Sequence, residues 1–150
     1  MGADKEEIVD LVNRFFVSLD VGRFDDEWAA EMFTADVRVK YPTGAYEGID
    51  AVRADIASAF QMFERTQHLA ANHLVSVDSD GADVRWDAIH THVLRGPNAG
   101  ELFTSGGYYE AEVVRTEHGW RFRRQELNVV WTTGPRPDAT LRSTVDRVPS

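Results

Sequence analysis

At 150 residues, with 43% hydrophobic and 27% charged positions, the chain has the size and composition of one globular domain. A formal net charge of −9, from 25 acidic against 16 basic residues, opposes binding to nucleic-acid phosphates or anionic membrane surfaces. The absence of cysteine excludes disulfides, thiolate metal ligands and a thiol nucleophile.

The first residues, Met1 to Glu7, are polar and acidic, without the basic and apolar segments of a signal peptide. No apolar run approaches the roughly 18 residues of a membrane span, so a soluble cytoplasmic protein is expected. From Ala3 to Leu19 the apolar positions Ile8, Leu11, Val12, Phe15, Phe16 and Leu19 make the stripe of an amphipathic helix, which Gly22 stops. Asp25 and Asp26 serve as N-cap and first-turn acid of a short helix carrying Trp28, Met32 and Phe33.

Val37, Val39 and Tyr41 alternate with Arg38 and Lys40 as a half-buried strand, broken by Pro42 and Gly44. Ile49, Val52, Ile56, Phe60 and Phe63 keep helical register from Ile49 to Phe63. Four strand-like runs follow, about Gln67 to Val77, Asp83 to Leu94, Leu102 to Arg115 and Trp120 to Trp131, with turn clusters between them. Three helices and a long antiparallel meander predict an α+β fold with a curved sheet wrapped on the helices. Gly106-Gly107 inside a strand marks a bulge or bend, and a bent sheet can enclose a cavity. The predicted pocket domain is 1–133. The tail, 134–150, carries Pro135 and Pro137, cannot continue a central strand, and is expected to drape over an edge or the pocket mouth.

Histidine is the side chain that both takes and gives a proton near neutral pH. Strand alternation places His68, Ala70 and Asn72 on one face and His73 on the other, while His90 and His92 share a face. His118 lies in an exposed turn. His90 and His92 lack a nearby carboxylate at ligand spacing, and the sequence shows neither a Cys/His cluster nor a Gly-rich phosphate loop, so no metal and no cofactor are expected. Asp20 closes the first helix, where the macrodipole disfavours an anion, which leaves two readings: a frayed, hydrated end, or a carboxylate turned inward to hold a histidine.

Taken together, Ser18-Leu19-Asp20, Phe24-Asp25-Asp26-Glu27-Trp28, Val39-Lys40-Tyr41, Thr66-Gln67-His68, Gly119-Trp120-Arg121-Phe122 and Val130-Trp131 resemble the SnoaL-like branch of the nuclear-transport-factor-2-like superfamily, and within it the scytalone-dehydratase-like group. The resemblance implies a cone-shaped fold with three N-terminal helices on a mostly antiparallel sheet enclosing a pocket. It implies that Asp20 orients His68 as a catalytic pair inside that pocket, that Tyr41 contacts a substrate carbonyl, and that His92 or His90 is the second pocket histidine. Gln125, Leu127, Val129 and Trp131 should line the cavity, with Tyr46, Asn72 and Tyr109 as further substrate contacts. Leu19, Gly107 and Tyr109 depart from the dehydratase pattern, so the substrate is expected to differ from scytalone.

On this reading the protein is a dehydratase-type lyase for a small hydrophobic, cyclic or polyketide-like metabolite. His68 removes a proton next to a carbonyl, and His92 or His90 protonates the departing hydroxyl. One alternative is a polyketide or epoxide-opening cyclase or isomerase in which Tyr46, Tyr108 or Glu126 outweighs Asp20. Another is a non-catalytic ligand-binding module. A homodimer or homotrimer is expected, with neither nucleic acid nor membrane as partner.

Overall fold

The structure, a computed structural model, describes residues 2–142. Helix α1, Gly2–Val21, buries Ile8, Leu11, Val12, Phe15, Phe16 and Leu19, the stripe that the sequence predicts. It ends where Gly22 takes the left-handed conformation, φ 79°, and donates its N–H to the Ser18 carbonyl. Asp25 caps α2, Asp26–Met32, by accepting from the Trp28 N–H at 2.8 Å, and the Trp28 indole donates to Ser18 Oγ, tying α2 to α1. Phe33 does not extend α2 but opens the first strand.

Six strands form one open, curved, mixed sheet: β1 Phe33–Tyr41, β2 Gly44–Glu47, β3 Phe63–Val77, β4 Ala82–Leu94, β5 Leu102–Thr116 and β6 Gly119–Thr133, in the order β2-β1-β6-β5-β4-β3. All neighbours are antiparallel except β1 and β6, which run parallel. Pro42-Thr43 is not a break after the first strand but the turn of a tight hairpin, with Tyr41 paired to Gly44. The third helix is shorter than its apolar spacing predicts. α3 spans Ile49–Ala59, a 3₁₀ turn follows over Phe60–Met62, and β3 begins at Phe63. A 3₁₀ turn also brings residues i and i+3 to one side, so Phe60 and Phe63 satisfy both patterns.

Strand β4 shows how the fold builds its site. Ala82, Val84, Trp86, Ala88, His90, His92 and Leu94 alternate onto one buried face. At one end this face meets α1, where Phe16 packs edge-on against Trp86 and Tyr109. Toward the other end the same face carries histidines instead of hydrophobes.

Bulges set which side chains look inward. The pairs Gly106 with Trp131 and Gly107 with Val129 leave one extra residue in β6, and a Cβ on Gly107 would lie 2.0 Å from the Asn128 carbonyl oxygen. Gly107→Ala is therefore expected to destabilise the protein by at least the ~1–3 kcal/mol of an overpacked site. Gly106→Ala should cost less, because its Cβ meets the Trp131 indole, a side chain at the surface that can swing aside. Urea denaturation of both variants checks the order, and equal costs would contradict this account of the bulge.

Candidate active site

Asp20, in the last turn of α1, makes three contacts to β3. Oδ1 lies 2.7 Å from His68 Nδ1 and accepts from the Thr66 hydroxyl at 2.9 Å, and Oδ2 accepts the His68 backbone N–H at 3.0 Å. Burial raises the Asp20 pKa, but the hydrogen bonds from the His68 ring, the His68 N–H and Thr66 outweigh it and hold the carboxyl below its ordinary value. These donors offset the unfavourable helix-end dipole. A carboxylate can only accept here, so His68 carries a proton on Nδ1, and the lone pair of the neutral ring is then the one on Nε2.

The two groups do not share one hollow, as the sequence-based expectation has it. The His68 side chain is 3% exposed and lines the main cavity, whereas the Asp20 carboxylate, 27% exposed, reaches it from a separate groove outside that lining. Asp20 is thus placed to orient the imidazole from behind, with the cavity on the other side. Phe60 stacks over the His68 ring at 5.8 Å and Phe16 meets its edge at 5.4 Å, fixing the ring by packing.

Strand pairing adds two more histidines. His68 pairs with His90, which pairs with Ser105, and the next inward row is Thr66, His92 and Phe103. Both histidines of β4 therefore face the cavity, and the choice between them that the sequence leaves open is not a choice of face. His92 Nδ1 donates to the Phe103 carbonyl at 2.8 Å, and burial is the main cause that lowers its pKa to about 4. His90 Nε2 lies 3.3 Å from the Tyr109 hydroxyl oxygen, and its pKa falls well below the ordinary value through burial first and the neighbouring histidines second. One potential ligand nitrogen from each of His68, His90 and His92 falls within a 4.8 Å group. His90 and His92 lie 22 and 24 positions from His68, so the chain shows no local histidine motif, and strand register is what unites the three.

The cavity has a volume of about 530 Å³, within the usual range for a small-molecule site. Its walls are chiefly apolar, with Leu19, Phe60, Phe63, Phe103 and Leu127 among them. Tyr41 reaches it and donates to Gln125 Oε1, while Gln125 Nε2 is buried without a partner. Tyr109 is inward and its phenol pKa is pushed up by burial, whereas Tyr108 turns outward beneath Arg85.

Of the residues that the sequence assigns to the lining, Leu127, Val129 and Tyr109 are there, and Gln125 stands behind Tyr41. Trp131 is not. The extra residue in β6 reverses the alternation, so Thr132 faces inward and the Trp131 ring covers Gly106 from the outer side. Asn72 is also outside: it sits in a β3 bulge with φ 55° and donates to Asp87 at 2.8 Å on the exposed face. Tyr46 lies outside the lining and donates to the Thr43 carbonyl, and Glu126 pairs outside with Lys40 and Arg124.

Sequence reasoning misses Asp55, which is buried on α3 and lines the cavity. Its carboxylate pairs with Arg142 at 2.7 Å and accepts from the Thr43 hydroxyl. The signal was present, since Asp55 falls three residues after Val52 on the apolar stripe. The pair pins the tail: Arg136 and Pro137 line the cavity, and Leu141 packs beside Met62, Phe63 and Leu94. Residues 143–150 of the predicted tail lie outside the described residues. No helix among the described residues is long and apolar enough to cross a membrane.

Comparison with known proteins places this fold. An uncharacterized protein of Mycobacterium tuberculosis is 31% identical over 127 residues, covering 82% of this chain and 83% of that protein. A Novosphingobium aromaticivorans structure, named provisionally as a scytalone dehydratase, is 25% identical with a TM-score of 0.79 and covers 90% of this chain and 91% of that one. A Kribbella flavida protein, 23% identical, has a TM-score of 0.81 with 93% and 97% covered. The hexachlorocyclohexane dehydrochlorinase LinA, type 2, is 19% identical with a TM-score of 0.75 over 87% and 88%, a likeness of fold. Proteins of this fold thus include one named provisionally as a dehydratase and one named as a dehydrochlorinase. The SnoaL-like domain profile matches residues 2–126, and the chain belongs to that family, with a fold like that of a nuclear transport factor 2-like protein of Salmonella enterica that is 19% identical with a TM-score of 0.79.

Proposed function

We propose that the protein is an acid/base lyase of the dehydratase type, acting on a small hydrophobic, cyclic, oxygenated metabolite. The observation that carries this reading is the 2.7 Å contact between Asp20 Oδ1 and the Nδ1 of a buried His68 whose ring lines an apolar cavity. His68 Nε2 removes a proton next to a substrate carbonyl, and the Asp20 carboxylate stabilises the imidazolium that forms.

The tautomers redirect the second step. His92 spends its Nδ1–H on a carbonyl and resists a second proton, so its Nε2 is an acceptor and not the acid that protonates a leaving hydroxyl. The His68 imidazolium is the remaining proton carrier in this arrangement, and it returns its proton to the departing hydroxyl, which makes the elimination syn. Tyr41 serves the enolate oxygen once its hydrogen turns from Gln125 into the cavity. Rotation of the Gln125 amide would then give the unpartnered Nε2 to the phenol oxygen.

The test is a panel of cyclic β-hydroxy ketones in D₂O. The reading expects an unsaturated ketone from at least one member, or exchange at its α-carbon. Ligands that bind tightly across the panel with neither exchange nor water loss would make the cavity a carrier.

A further inference from the structure

We infer that His68, His90 and His92 form a binding site for one divalent transition-metal ion of the zinc type, with the cavity as its open fourth position. The inference shares His68 with the acid/base reading but does not depend on it.

Three features carry it. The histidines project from two paired strands, His90 and His92 in alternate positions and His68 directly opposite His90, so the backbone fixes their convergence. Their potential ligand nitrogens already lie within 4.8 Å of one another, and their ring centres are 4.6, 5.9 and 6.2 Å apart. Zinc–nitrogen bonds of about 2.0–2.1 Å put ring centres roughly 5 Å apart in a tetrahedral site, so small side-chain rotations close the group.

The second feature is the outer shell. Histidines that bind metals commonly spend the other ring N–H on a carboxylate or a backbone carbonyl, which fixes tautomer and orientation. His68 does so with Asp20 at 2.7 Å and His92 with the Phe103 carbonyl at 2.8 Å, which leaves Nε2 as the ligand atom of each neutral ring. Third, three imidazoles in a cavity walled by Phe60, Phe63 and Phe103 suit zinc, cobalt, nickel or copper, whereas magnesium and calcium require oxygen ligands. An ion on His68 Nε2 occupies the lone pair that removes the substrate proton, so metal binding and base catalysis by His68 exclude each other.

The experiment titrates chelator-treated, full-length protein with ZnSO₄ in a calorimeter and with CoCl₂ in a visible spectrophotometer. Expected are one ion per chain, the intense absorption of four-coordinate cobalt, and a melting temperature that rises with zinc. His68→Gln, His90→Gln and His92→Gln should each weaken binding by tenfold or more, while His118→Ala, in an exposed turn, should bind as wild type. Circular dichroism establishes that each variant is folded. Absence of saturable one-to-one binding in the wild type overturns the inference, as does binding undiminished by loss of both His90 and His92. Turnover by metal-free protein that falls as zinc fills the site supports both readings. Turnover that appears only with zinc retains the metal site and removes His68 as the base.

Discussion

His68→Asn is expected to lower kcat/KM by about 10²–10⁴-fold, the contribution of one well-placed acid or base. Asparagine can still donate from its amide to Asp20, so the α1 to β3 junction is preserved while the basic nitrogen is lost. Asp20→Asn attacks the same function from the other side. Without a carboxylate behind Nδ1, the imidazole is free to carry its proton on Nε2, and the imidazolium loses its counter-charge. Because the two side chains act as one unit, the double variant should be little worse than His68→Asn alone. Steady-state kinetics on the responsive substrate, with circular dichroism of each variant, decide the matter. Additive losses would mean that Asp20 acts on turnover independently of the ring that it contacts.

Trp86→Ala should produce the largest loss of stability, about 3–5 kcal/mol. Trp86 is 0% exposed, lies parallel to Tyr109 with ring centres 4.6 Å apart, and meets Phe16 edge-on. Truncation would leave a void beneath the Phe16 ring, which also packs against His68 and His90. The damage should therefore reach the site, loosening both imidazoles as well as lowering the urea midpoint. A loss below about 1 kcal/mol would show that α1 closes onto the sheet without it.

How much of this was legible beforehand follows from how local each signal is. The α1 stripe, the Asp25 cap and the parity of His90 and His92 depend on neighbours within a few residues, and the sequence states them. From its own position Asp20 was legible as a misplaced charge, and the family resemblance named His68 as its partner. Its meaning needs Thr66 and His68, 46 and 48 positions away, which helix packing brings to it. Trp131 and Asn72 were misplaced because alternation propagates an error: each lies at or beyond a bulge that inserts one residue, and one residue reverses the face. The sequence offered His68 with one of His90 and His92, and the joining of all three was not legible because strand register, not chain spacing, assembles them. Asp55 was readable on its helix stripe, but its partner Arg142 comes from the far end of the chain.

The proton position on His68 is the most direct measurement. Long-range ¹H–¹⁵N correlation spectra of metal-free protein should show the Nδ1–H tautomer, with Nε2 bare, and Asp20→Asn should shift that balance toward Nε2–H. A wild-type ring that carries its proton on Nε2, or one that is indifferent to Asp20, would contradict a carboxylate-held base facing the cavity.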